Sequence, residues 1–171
     1  MNAEGEREPV KASMFLTIAS ALAASDEVLA RFKGRAEQNQ CVNHLKQLAI
    51  AAHMYAQAHG DKLEFTAETA KKALLPMVEN NEKLFSCPTN EKVRYVFNDK
   101  LAKRAFSEIT KPAETVLFYE TTIGEVTLSA NGAGAAIGPS TTHGDRTNVV
   151  FVDGHVEAIP AKDLASLRWE P

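Results

Sequence analysis

The sequence predicts an α+β fold, helical in its first half and mainly β-sheet in its second, in which the apolar face of a helix and that of a C-terminal β-hairpin bury each other. Three observations carry this. Apolar residues recur at three- and four-residue steps between positions 35 and 59, the second half is rich in β-branched and aromatic runs, and Asp153-Gly154 sits between two such runs. The 171 residues, 44% hydrophobic and 24% charged, suit one globular domain and exclude a disordered or collagen-like chain. Nineteen basic against 22 acidic residues give a net charge of −3 with no basic stripe, so nucleic acid is not an expected partner.

Residues 1–34 form an atypical N-terminal segment, a polar tail followed by a short apolar helix. Its apolar run, ASMFLTIASALAA, is shorter than the ~20 residues that cross a bilayer, so no membrane span is expected. Gly34 offers a break or kink before a second helix over residues 35–59, which Gly60 caps. In that helix Cys41, Leu45, Leu48, Ala52 and Tyr55 form one stripe, widened by Val42, Ala49 and Ala56. A short helix is predicted from Thr66, as N-cap, to Leu75, where Pro76 ends it. Residues 84–88 read as a buried loop anchor. Strands are predicted over 93–97 and 114–120, with a weaker one over 121–129 and a small-residue loop over 129–140.

The run TNVVFVDGHVEAI predicts a hairpin with a two-residue type I′ turn at Asp153-Gly154. That turn pairs Val152 with His155 and Phe151 with Val156, placing Val149, Phe151, Val156 and Ala158 on one core-facing side.

Four residues around this hairpin, His143, Asp145, Asp153 and His155, are of types that hold a divalent cation, calcium through carboxylates or zinc through imidazoles. The competing reading is structural, with Asp153 serving the turn, His155 an exposed strand position and His143 a loop anchor. Cys41 and His44 could join Cys87 in a zinc site, but no second half-site of matching spacing exists. Cys41 and Cys87 are otherwise either a disulfide closing a loop of 45 intervening residues or two buried thiols. Gly132, Gly134 and Gly138 lack phosphate-loop spacing, and no nucleophile stands at a recognisable distance from a histidine, so no catalytic residues are assigned.

An ordered set of motifs adds to this reading. His143, nine intervening residues and Asp153-Gly154 resemble the signature of the prepilin-type H-X9-DG family. Cys41-Val42-Asn43-His44-Leu45-Lys46-Gln47-Leu48, continuing to Met54-Tyr55-Ala56, is similar to the family's C-x-N-N-L-K-Q and M-Y-A segments. Phe85-Ser86-Cys87-Pro88 resembles its F-x-C-P element, Tyr95-Val96-Phe97-Asn98 its Y-x-x-N, and residues 111–118 its P-x-E-T-V-L-F strand. Together they cover residues 35–164. The resemblance implies a pilin-like α+β domain over residues 35–171, with a long N-terminal helix packed on an antiparallel β-sheet that ends in a C-terminal β-hairpin, and a noncatalytic pseudopilin-like subunit or accessory protein of a type II secretion or type IV pilus-like system. It further implies protein partners, among them like subunits or other pseudopilins, and a periplasmic or cell-envelope location. His143, Asp153 and Gly154 carry over as signature positions with a structural role.

The N-terminal region departs from the family pattern. Pilin-like precursors have a basic leader, a Gly-Phe cleavage site and about twenty apolar residues, where this chain has MNAEGEREPVKASMFLTIASALAAS. The expectation is that this chain does not insert as a pilin does, which leaves a cytoplasmic location open. A soluble metal- or small-ligand-binding module built on His143, Asp145, Asp153 and His155 is the alternative function, whereas the leading reading requires no cofactor.

Overall fold

The computed structural model describes residues 10–88, 90–122 and 145–171. It is an α+β structure with helix α1 (Val10–Ala58), a short helix α2 (Ala70–Leu74) and five strands, β1 (Ser86–Cys87), β2 (Asn90–Phe97), β3 (Val116–Thr122), β4 (Arg146–Phe151) and β5 (Val156–Pro160). The strands form one antiparallel sheet in the order β1-β2-β3-β4-β5. The described residues fall into two compact units, divided between residues 36 and 37. Among the described residues no helix is long and apolar enough to cross a membrane.

Helix α1 runs through Gly34 without the predicted break. A glycine inside a helix costs only about 1 kcal/mol relative to alanine, too little to end it, and many helices end instead at a left-handed residue just past the last turn. That residue is Gly60, at φ +67°, with the Asp61 N–H returning to the Ala56 carbonyl at 2.8 Å. The predicted stripe is the buried face: Cys41, Leu45, Leu48, Ala49, Ala52 and Ala56 are at most 1% exposed. Each buried leucine contributes about 1.5–3 kcal/mol relative to an exposed one.

The helix predicted over 66–75 shrinks to α2. Residues 66–69 form a turn closed by two threonines, with the Thr66 N–H donating to Thr69 Oγ1 at 2.9 Å and the Thr69 N–H to the Thr66 carbonyl at 3.1 Å. Pro76 does not end the segment, because a 3-10 turn over Leu75–Val78 accepts proline at its start, where no N–H is needed. Strand β2 begins three residues before its predicted start, and the predicted loop anchor supplies β1, with Leu84, Phe85 and Cys87 all buried. Thr121 and Thr122 belong to β3, whereas the rest of the weaker strand and the small-residue loop lie outside the described residues.

The hairpin differs by one residue. Val150, not Phe151, pairs with Val156, and the turn contains three residues, Val152-Asp153-Gly154. Gly154 alone in it has a positive φ, +91°, the pattern of a type I turn followed by a bulge glycine. The cause lies outside the hairpin: the Val152 and Asp153 N–H groups donate to the carbonyls of Thr115 at 2.9 Å and Pro112 at 3.2 Å. The shift divides the expected core face. Val150 and Val156 pack with the α1-side core, whereas Val149 and Phe151 belong to a second core with Val116, Leu164 and Trp169 on the opposite side. This second core is closed by the C-terminal segment, which the Val116 N–H holds through the Arg168 carbonyl at 2.9 Å.

Candidate functional site

The seam between α1 and the sheet concentrates the reactive side chains. Cys41, on the helix stripe, and Cys87, on β1, are 0% and 2% exposed with their sulfurs 2.9 Å apart. The contact with Cys87 and then burial push the Cys41 thiol well above its ordinary range, which keeps it protonated and unreactive at neutral pH. Tyr95 lies beside it, its hydroxyl buried outside regular hydrogen-bond geometry and its acidity suppressed by burial and by Cys41. Across the sheet from Tyr95, the fully buried Glu120 accepts the Asn148 backbone N–H and Nδ2–H, both at 3.0 Å. On the other core, burial and then the Asp99 charge push Tyr119 up to about 12.

Two histidines on α1 fasten it to distant loops. His44 Nδ1 sits 3.3 Å from the Ser86 carbonyl with its ring edge-on to Tyr95. His53 Nε2 sits 2.7 Å from the Val152 carbonyl and stacks on Phe106 at 4.3 Å. The available signal was their position at the margin of the buried stripe, from which a ring reaches past the helix to a carbonyl. His59 reaches the Tyr55 carbonyl at 2.7 Å in the helix's last turn.

Of the four hairpin residues proposed for a cation, the structure joins two. Asp153 Oδ1 accepts the His155 backbone N–H at 3.1 Å and lies 2.6 Å from His155 Nδ1, while the His155 ring stacks on Phe151 at 4.4 Å. Partial burial alone would raise the Asp153 carboxyl; the His155 hydrogen bonds and charge outweigh it and hold the group below the usual carboxylate range. Asp145 stands before β4 at its opposite end, six strand residues or about 20 Å away at ~3.3 Å per residue. His143 lies outside the described residues. Among the described residues no three His, Cys, Asp or Glu side chains converge as metal ligands, and in the Cys41-His44-Cys87 set the His44 ring turns to the Ser86 carbonyl.

Among the described residues the surface also carries an open groove, an apolar patch on the first unit, and the exposed Ile50 and Met54 on the second. The groove, of about 440 Å³, is bordered by Lys71, Glu82, Phe85, Arg94 and Tyr95. A 2.8 Å bond from Lys71 crosses to Glu82 and holds that carboxyl below its usual range. Within the first unit, Val28, Leu29 and Phe32 are 49%, 64% and 63% exposed, beside the Arg31–Glu27 ion pair. No family model, curated protein or solved structure matches the chain.

Proposed function

We propose that this chain is a noncatalytic, pseudopilin-like structural subunit of a type II secretion or type IV pilus-like assembly in the bacterial envelope, acting by contact with like subunits. The observation that carries the reading is the use of α1. From Cys41 onward its apolar stripe is buried on the sheet, whereas Val28, Leu29 and Phe32 present three large apolar side chains to water within five residues. Contiguous exposed apolar surface marks association sites, and a neighbouring helix covering such a patch recovers ~25 cal/mol for each Å² removed from water. The pilin-like character of the domain belongs to this same proposal and draws on the ordered motifs, three of which have clear packing roles: the Cys41 to Leu48 stripe, the Phe85-to-Pro88 anchor and the Asn98 hub.

Sedimentation velocity of the full chain over a concentration series tests the proposal. Concentration-dependent assembly is expected, abolished by the pair Leu29→Asp and Phe32→Asp with thermal melting unchanged. A wild-type chain that stays monomeric up to its solubility limit, or assembly indifferent to the pair, overturns it.

A further inference from the structure

We propose that Cys41 and Cys87 are a disulfide pair that staples helix α1 to the edge strand β1 when the protein folds in an oxidising compartment. The inference stands apart from the assembly reading and rests on the seam. The two sulfurs are 2.9 Å apart across a sequence separation of 46, so folding has already brought them almost to bonding distance, about 2.05 Å. β1 is where such a staple matters. It has two residues, its pairing with β2 is irregular between Ser86 and Cys87, and it forms the margin of the sheet.

The chemistry needs a disulfide oxidant such as oxidised glutathione. One cysteine thiolate attacks a glutathione sulfur and releases one glutathione thiolate. The second cysteine, losing its proton to solvent, attacks the protein sulfur of the mixed disulfide and releases the other. The protein loses two hydrogens, and oxidised glutathione is reduced to two thiols. In the docked state both sulfurs are buried and the Cys41 thiol is held protonated. The bond therefore closes while α1 is undocked, and once closed it lies beyond a reductant's reach.

The test equilibrates the full chain with a glutathione redox mixture in moderate urea, returns it to native buffer, alkylates it in denaturant and measures intact mass and the peptide map. The expected product is lighter by two hydrogens, carries no alkyl group and yields a single cross-linked peptide pair spanning residues 41 and 87. A phosphine reductant should leave it intact in native buffer and open it in urea. Oxidation should lower the unfolding equilibrium constant about a thousandfold, the entropy of closing a loop of this length, and should do nothing to the double variant Cys41→Ala, Cys87→Ala. Full alkylation of both residues, glutathione adducts or intermolecular dimers would overturn the pairing, and rapid reduction in native buffer would overturn its buried, post-docking character. If the double variant does not fold, the wild-type mass and reduction results decide alone.

Discussion

Asn98 offers the sharpest quantitative test of how the two cores are joined. Its side chain is 2% exposed, and Nδ2 donates to the carbonyls of Val116 and Trp169, both at 2.8 Å, while Oδ1 accepts the Lys100 N–H at 3.2 Å. One amide thus binds the turn after β2, the start of β3 and the C-terminal segment. Asn98→Ala leaves two buried carbonyls without a donor. At about 1–2 kcal/mol each, the loss is about 2–4 kcal/mol, a large part of the ~5–15 kcal/mol that holds a domain of this size. Asn98→Asp should be worse, because it keeps the acceptor for Lys100 but turns an oxygen toward the two carbonyls. Trp169 is the only tryptophan, sits in the second core edge-on to Tyr119, and so reports on this junction by its fluorescence. Urea unfolding should be followed by tryptophan emission and by far-ultraviolet circular dichroism together. The reasoning is refuted if Asn98→Ala stays within about 0.5 kcal/mol of wild type, the range of ordinary surface substitutions, or if Asn98→Asp is the more stable of the two.

Four further outcomes are expected. Gly154→Ala should cost about 1–2 kcal/mol in chemical denaturation, and Gly154→Asn less; a Cβ at Gly154 meets nothing within 4 Å, so the cost is purely that of φ +91°. His53→Ala, which removes the bond to the Val152 carbonyl and the stack on Phe106, should cost about 1–3 kcal/mol in thermal or urea melts. Because the folded Asp153 carboxyl titrates below its unfolded value, its contribution is complete above about pH 4 and is lost as pH falls through the folded value. Melting of Asp153→Asn should accordingly lose less on acidification than wild type, and equal acid sensitivity would count against the His155 interaction. Excess EDTA should leave the melting temperature unchanged, whereas a rise on adding calcium or zinc would favour the cation reading of the hairpin.

The helix stripe was legible because burial on one face imposes a 3.6-residue period, and of the residues assigned to it all but the half-buried Val42 lie in the core. β2 and β3 were legible from their β-branched and aromatic content; β2 starts three residues early and ends where expected at Phe97, and β3 is shifted by two residues at both ends. The hairpin shows what a local pattern cannot carry. Asp-Gly fits either a two-residue or a three-residue turn, and the choice was made by carbonyls at Pro112 and Thr115, some forty residues upstream. The same limit hid the sites. Nothing near His53 in sequence specifies that Val152 will come within 2.7 Å, and the proximity of Cys41 to Cys87 exists only after the helix docks. Asp145 and Asp153, by contrast, stand at opposite ends of β4, as the length of an extended strand between them already implied.

The Glu120–Asn148 pair has a further consequence for how the sheet finds its alignment. β4 is buried at every position after Arg146, with Val149 and Phe151 in one core and Val150 in the other. A strand apolar on one side and polar on the other resists slipping by one residue, because the slip would drive its apolar set into water. β4 lacks that safeguard, since from Val149 to Phe151 either side of it is equally content in a core. Asn148 supplies the missing mark. A one-residue slip would take its amide from the Glu120 carboxyl and leave a buried carboxyl without those two donors, a penalty that apolar packing on the other side could not offset. The polar pair therefore acts as an index pin, and the identity of two residues, rather than the hydrophobic pattern, decides which half of β4 belongs to the helix and which to the C-terminal tail.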